Sequence, residues 1–462
     1  MKRQHFKLYL FSVVPFLALI LVLLTLGKTL QPSAYVAEIR NAHAGGGSIA
    51  ESFKHPLTIL LMQMLVVLGT AKLIGYLFTR MGQQSVMGEI VAGIVLGPSL
   101  FGWLMPEGFL FLFPTDSLPN LHLLSQIGLV LFMFIIGMEL DTGILKTRAT
   151  EALIVSHVSI VFPYFLGVTL AYFLYAEFAP ANIPFIAYAL FMGIAMSITA
   201  FPVLARILKE RKMTKTPVGS MAIICAAIGD ATGWCILAVV IAIAKAGDAS
   251  GAVFTLILTV AYVLFMFSVV RPLLKRGSEK YFAHGKIQST YIAIVFLTLL
   301  LSSFLAETIG IHALFGAFIA GAVMPANVSL RNLFAERMED VSVMLLLPLF
   351  FAFTGLKTQI GLLNTPWLWS VCGLIILLAI VGKFVGSALS AKLVGQSWKD
   401  SLSIGALMNT RGLMELIILN IGYDLGILKP EIFTMMVFMA LATTFMTSPA
   451  LNLIEWYYAK KK

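Results

Sequence analysis

Charge is what this sequence has least of. Only 12% of its 462 residues are Asp, Glu, Lys or Arg, against 59% hydrophobic, and a soluble domain of that length could not build a polar exterior from so few. Cysteine is scarce as well. Cys225, Cys235 and Cys372 each lie inside an apolar run with no CxxC spacing, which excludes a disulfide framework or zinc ribbon and reads them as packing residues. There is no Walker loop, no HExxH helix and no nucleophile elbow, so ATP-driven and hydrolytic chemistry have no support, no enzyme reading stands and no cofactor is implied. The net charge of +10 does not indicate nucleic acid, because the Lys and Arg sit in short links between apolar segments, where they report topology.

What is present is a succession of apolar runs, each near the roughly 20 residues a bilayer-spanning helix needs. The spans expected are 7–30, 56–80, 83–104, 121–140, 149–176, 183–208, 217–245, 252–273, 288–308, 311–326, 338–357, 366–394, 399–422 and 430–457, fourteen helices in all. The first is longer than a signal-peptide core and reads as a retained helix, with cleavage the alternative. A flexible linker, Ala42 to Ser48, follows it. Residues 1–54 are therefore expected to hold an N-terminal helix and a periplasmic linker, and 55–462 a single transmembrane domain with no C-terminal regulatory domain. Basic residues collect in alternate links, at Arg80, Lys146 and Arg148, Arg206 to Lys215, Arg271 to Lys286, Arg331 and Arg337, Lys392 and Lys399, and Lys460 to Lys462. That bias places both termini in the cytoplasm of a multi-pass inner (plasma) membrane protein.

Two stretches recur. Gly88 to Val95 matches Gly316 to Val323 in character, and Leu131 to Met138 matches Leu349 to Leu356, in the same order along the chain. With seven helices between partners, each pair runs in opposite senses, the signature of an inverted repeat. Continuing the register sets Met196 to Pro202 opposite Leu407 to Leu413. Pro202 removes a backbone donor and disfavours helix at Phe201, while Asn409, Thr410 and Gly412 favour irregular backbone, so both helices are expected to break at membrane depth around Ala200 and Thr410. A proline kink is the plainer reading. The matched positions favour paired breaks, whose free N–H and C=O groups a membrane accepts only around a cavity or ion.

An ionisable residue at bilayer depth costs about 2.5–3.5 kcal/mol even on lenient scales. Asp230 lies in mid-span between Gly229 and Gly233 neighbours, a small-residue face that would admit a neighbouring backbone. Lys383 sits between Gly382 and Gly386, about two turns from Lys392 and too deep to snorkel with ease. It could be a counter-ion for Asp230 or for the carbonyl ends of a broken helix. Arg411 and Glu415, spaced i,i+4, could pair, and Arg411 could also neutralise half-helix ends. Glu89, Glu139, Asp141 and Glu151 lie near span ends and read as a watered rim, and His157 as a hydrogen-bonded packing residue. The chemistry that follows is competition. A proton or an alkali cation can neutralise Asp230, each excluding the other, with Thr199, Ser197 and break carbonyls as hard oxygen ligands. Rivals are a symporter for an organic anion on a similar scaffold, and a K+ channel, which should carry a TVGYG-type filter and has none.

Ser197 to Leu208, the Asp230 helix, Gly382-Lys383 and Met408 to Leu416 together resemble the monovalent cation:proton antiporter-2 family, most of all its plant cation/H+ exchangers, over roughly 55–457. The resemblance implies an all-α, inverted-repeat sodium/proton antiporter fold: thirteen core helices, here plus one extra N-terminal helix, with two crossing broken helices and a core and a dimerisation bundle forming a homodimer. It implies Na+ or K+ and H+ as transported ions, Asp230 as the ion-binding aspartate, Thr199 as a ligand and Lys383 as the membrane lysine of the core. Electrogenic members carry two adjacent aspartates and electroneutral ones an amide before the aspartate. Gly229 stands there in this chain, so electroneutral one-for-one exchange is expected.

Overall fold

The computed structural model describes residues 55–139, 149–214, 216–246, 249–283, 286–325 and 327–460, together with Val22, Leu23 and Thr25. Apart from those three residues the expected span at 7–30 lies outside the described residues, as do Asp141 and the side chain of Glu139. The chain divides into two compact units, Met1–Leu61 and Met62–Lys462. Apart from the opening residues of the helix Pro56–Arg80, the structure described below belongs to the second.

The described chain is helical apart from one two-residue β pairing, Phe282↔Ile287. Among the described residues, ten stretches are long and apolar enough to cross a membrane. In chain order the helices that matter are α1 (Pro56–Arg80), α2 (Ser85–Leu96), α3 (Leu118–Glu139), α4 (Ala149–Phe178), α5 (Phe185–Ser197), α6 (Phe201–Glu210), α7 (Pro217–Ala246), α8 (Ala249–Phe265) and α9 (Arg271–Tyr281). They continue with α10 (Ser289–Ile309), α11 (Ala313–Ala322), α12 (Val328–Glu339), α13 (Leu347–Lys357), α14 (Pro366–Ile380), α15 (Gly386–Leu393), α16 (Trp398–Met408), α17 (Leu413–Asp424) and α18 (Pro430–Ala459). Four begin with proline, at residues 56, 217, 366 and 430, where the missing N–H would have had no intrahelical partner. Outward-facing apolar side chains such as Leu65, Phe173 and Phe304, 75%, 74% and 65% exposed, suit lipid rather than water.

Three expected spans are interrupted and a fourth is shortened. The span at 83–104 ends its first helix at Leu96 and resumes only as the short turn Phe101–Leu104. The one at 311–326 shortens to the ten residues of α11. The spans at 183–208 and 399–422 are broken, into α5 and α6 and into α16 and α17. The first break falls at Ile198 to Ala200, at the expected Ala200 but ahead of Pro202. Phe201 is already helical, and Pro202 occupies the first turn of α6, where its lost donor costs nothing.

The recurring glycine segments cross in a symmetric way. A Cβ on Gly93 of α2 would overlap the Ala352 carbonyl of α13, and one on Gly355 of α13 would overlap Ile90 O of α2. A Cβ on Gly137 of α3 would overlap Phe318 O of α11, and one on Gly321 would overlap Phe134 O. Gly93 and Gly321 are repeat equivalents, as are Gly137 and Gly355, so the α2–α13 contact is the repeat image of α3–α11. The same holds one helix out. A Cβ on Gly88 would lie 2.6 Å from Gly75 Cα, and one on Gly316 2.7 Å from Ser303 Cα, and the spacing from Gly75 to Ser303 equals that from Gly88 to Gly316. These helices and α10 form one bundle. The other gathers α4 to α7 and α14 to α18 around the two breaks.

Backbone-to-backbone packing of this kind leaves no room for a methyl group. Gly137→Ala and Gly355→Ala are each expected to destabilise the protein by about 1–3 kcal/mol, seen as a lower melting temperature in detergent. Gly69→Ala, with nothing within 4 Å of the added carbon, should melt as the wild type, and equal melting of all three variants would contradict the packing.

Candidate functional site

The site is built where the two broken helices meet. A helix end leaves unsatisfied amides or carbonyls, and here each break supplies partners to the other. The Ala200 N–H donates to Thr410 O at 3.1 Å, and Thr199 Oγ1 donates to Met408 O, the end of α16, at 3.2 Å. Gly412 closes the second break with φ +146°, a backbone that side-chain-bearing residues rarely adopt, and an added Cβ would press Val203 Cγ2 at 3.1 Å. The chain at the breaks is buried: Ala200, Thr199 and Thr410 are 1%, 2% and 0% exposed.

Arg411 fills the carbonyl end of α5. Its Nη1 donates to Ala195 O at 3.0 Å and Nη2 to Met196 O at 2.6 Å, so a guanidinium meets the negative pole of the half-helix. Nη1 also reaches Glu415 Oε2 at 3.0 Å, with both side chains fully buried. The opposite pole is that of α6. Its first residue, Phe201, turns its backbone amide toward the Asp230 carboxyl without reaching hydrogen-bond geometry. Asp230 is 3% exposed, and among the described residues neither of its oxygens has a hydrogen-bond partner.

Lys383 lies on a π-turn, Val381–Val385, between α14 and α15, a distortion that often marks functional positions. It is wholly buried, and its Nζ donates to Thr199 Oγ1 at 2.7 Å and to Ser159 Oγ on α4 at 3.3 Å. It forms no salt bridge with Asp230. The hydroxyl of Thr199 thus accepts from Lys383 while donating across the breaks. The flanking glycines set the depth of this lysine: a Cβ on Gly382 would sit 2.8 Å from Pro163 Cβ, and one on Gly386 2.8 Å from Phe162 Cδ1, both on α4.

Of the residues singled out from sequence, Asp230, Thr199, Lys383, Ala200, Thr410, Arg411, Glu415 and Gly412 gather at this crossing. Ser197 turns away, donating to Ile194 O of its own helix at 3.1 Å. Asn409 donates to Thr443 O at 3.4 Å. The glycines beside Asp230 admit side chains, not the expected backbone: Gly233 faces Ile198 Cδ1, and Gly229 has only Ser156 Oγ near it, 3.7 Å from an added Cβ. Glu89 does not meet water as expected. It is 5% exposed and accepts from Ser85 Oγ at 2.8 Å, because the close approach of α1 at Gly75 and Gly88 covers that turn. Glu151 is half-buried, and His157 bonds back to Leu153 O on an exposed face.

Residues missed by sequence reasoning are the hydroxyls that seat these groups. Ser159 holds Lys383. Thr444 takes the Arg411 N–H at 3.1 Å, and Thr447 meets Thr410 at 3.3 Å. Their signal was legible as hydroxyls at helical spacing in otherwise apolar spans: Ser156 and Ser159 on α4, and Thr443, Thr444 and Thr447 on α18.

Two interrupted helices crossing inside an apolar bundle, with a buried carboxylate at one half-helix amide end, define a secondary transporter of the sodium/proton antiporter fold. The chain belongs to the sodium/hydrogen exchanger transmembrane family, whose model matches residues 66–453. It is 44% identical to Na(+)/H(+) antiporter NhaS4 of Synechocystis, across 85% of this chain and 96% of that protein. It is 38% identical to Cation/H(+) antiporter 19 of Arabidopsis thaliana across 86% of this chain, which spans about half (50%) of that longer relative. Among solved structures, the sodium proton antiporter MjNhaP1 of Methanocaldococcus jannaschii superposes with a TM-score of 0.63 at 15% identity, over 87% of this chain and 98% of the other.

Removing one partner of a buried ion pair strands the other. Arg411→Met is therefore expected to destabilise the protein by about 3–5 kcal/mol, read as thermal unfolding in detergent. The double replacement Arg411→Met with Glu415→Leu should recover part of that loss, because Ala195 O and Met196 O remain unpaired but the isolated carboxylate does not. A double variant worse than the single would contradict this account.

Proposed function

We propose that the protein exchanges a monovalent cation, Na+ or K+, for H+ across the inner (plasma) membrane, one for one, with proton and cation competing for Asp230. The observation that carries the reading is the Asp230 carboxylate, buried beside the crossed breaks with both oxygens unpartnered. A buried carboxylate is tolerated when a proton or a cation neutralises it. It cannot hold both at once, and that exclusion is the basis of antiport.

Charge at the site argues for electroneutral exchange. Lys383 and Arg411 are balanced by Glu415 and Asp230, so a proton at Asp230 and an alkali cation at Asp230 leave the same total. Gly229 supplies no second carboxylate. Lys383, held by Thr199 and Ser159, compensates charge in both loaded forms, and Arg411 with the cross-break bonds keeps the site's geometry through the cycle. Thr199 and the irregular backbone at Ala200, Asn409, Thr410 and Gly412 lie where hard oxygen ligands are needed, with Pro202 opening α6 and Ser197 close by in sequence. The name of the Synechocystis relative favours Na+ as the first ion to test.

Alternating access follows by moving the bundle that holds the breaks against the bundle of α2, α3 and α10 to α13, which in this reading is the homodimer's fixed part. The basic links put the ends at Arg80, Lys209 and Lys399 in the cytoplasm, with both termini. Residues 1–54 form a separate N-terminal helix and linker, and 55–462 the exchanger domain.

In proteoliposomes with the membrane potential clamped, cations should dequench an internal pH dye for the wild type and not for Asp230→Asn. The rate should ignore the imposed potential. Apparent cation affinity should weaken about tenfold for each pH unit below the carboxyl's titration, as simple competition requires. Transport by Asp230→Asn at the wild-type rate would remove this carboxylate from the mechanism, and a potential-dependent rate would refute electroneutrality.

A further inference from the structure

We propose that Lys357 and Asp424, backed one turn deeper by Thr354 and Asn420, form a releasable clasp across the seam between the two bundles, shutting the cation pathway at the end of the molecule remote from its basic links. Lys357 is the last residue of α13 and Asp424 the last of α17. Their helical runs start near Arg337 and Lys399, so both clasp residues lie at the far end. Lys357 Nζ meets Asp424 Oδ1 at 2.6 Å, with side chains 15% and 35% exposed. One turn inward, Asn420 Nδ2 donates to Thr354 Oγ1 at 2.8 Å between fully buried side chains.

The seat of the lysine is itself shared between the bundles. Its ammonium lies 4.9 Å from the ring centre of Phe353 on α13 and 5.1 Å from that of Tyr423 on α17. His122 of α3 adds a second reach across the seam, its ring packed at a 47° tilt 5.0 Å from that of Phe353 and its Nε2 3.5 Å from Asp424 Oδ2. Just beyond α13 the Gln359 N–H donates to Thr434 Oγ1 of α18 at 3.2 Å, also across the seam, whereas the Trp367 indole to Glu177 at 3.1 Å and Lys429 to Glu177 O at 2.9 Å stay within the broken-helix bundle. Asp424 is the charged residue by which α17, the helix leaving the second break, is fastened to its neighbour.

A clasp suited to a transport cycle must hold and then part. A partly exposed ion pair and one amide–hydroxyl bond are weak enough to break each turnover, whereas a deeply buried pair such as Arg411–Glu415 is not. Its role in transport rests on the antiport reading above, while its existence as a moving joint does not.

The test is a charge swap read two ways, by hydrogen exchange of residues 413–424 and by cation-driven proton movement in proteoliposomes. Lys357→Asp and Asp424→Lys should each speed exchange in α17 about fivefold or more and shift the transport rate at least about threefold. The double variant should return both to within about twofold of wild type. Lys357→Met, which keeps the apolar stem, guards against misfolding and should also loosen α17. Wild-type behaviour of both single variants, or a double variant no better than the worse single one, would overturn the clasp. If no variant and no wild type moves a cation while exchange follows the expected pattern, the clasp stands and the antiport reading falls.

Discussion

The hydrogen bond from the Ala200 amide to Thr410 O is the point on which the rest of the molecule depends. Two helices that stop at membrane depth would leave amides and carbonyls in a medium without water, at several kcal/mol for each unsatisfied group. Crossing the two breaks lets one satisfy the other directly, and the remainder is met by Arg411 of the second break and by side chains from α18 and from the turn between α14 and α15. Arg411 covers the carbonyls of α5, Lys383 holds the Thr199 hydroxyl, and the threonines of α18 hold the backbone around Arg411. Once those partners are assigned, the α6 amide end and the Asp230 carboxyl remain facing each other. The site is what is left after the breaks have been satisfied.

The bundles surrounding this crossing are shaped by the same economy of space. Glycines at the α2–α13 and α3–α11 crossings let backbones touch, which in lipid replaces the hydrophobic drive that water would supply. Their symmetric placement gives one bundle a rigid, two-fold character. The other bundle holds the breaks, and the two meet along a seam whose polar ties include Asn420 to Thr354, Asp424 to Lys357, the Gln359 N–H to Thr434 Oγ1 and Gln84 Nε2 to Val203 O, beside the stacked rings of Trp234 and Phe318, 6.1 Å apart. A rigid frame, a bundle built round interrupted helices and a seam between them are the parts that rocking requires.

Much of this was legible in the sequence, for identifiable reasons. The breaks announced themselves because Asn409, Thr410 and Gly412 are poor helix formers in the middle of an apolar run, and the repeat because glycine spacing is kept at both copies. The first break falls around Ala200 as expected, but Phe201 and Pro202 already belong to the next helix, since proline signals a helix start as readily as an end. Lys383 stood out by its depth, but its partners Thr199 and Ser159 come from distant spans, and no local pattern pairs them. Glu89 was misjudged for a related reason: nearness to a helix end along the chain says nothing about which neighbour covers it. The crossing partners of the glycines, α13 for α2 and α11 for α3, also required the fold, since small-residue spacing marks a contact face without naming what touches it.

The central claim is that one carboxylate holds either a proton or a cation. The most direct measurement is proton release on cation binding, made with purified protein in weakly buffered detergent solution, at a pH where Asp230 is protonated, for wild type and Asp230→Asn. The account requires one proton released for each cation bound by the wild type, and neither release nor saturable binding in the variant. Cation binding without proton release, or release that survives the substitution, would contradict it.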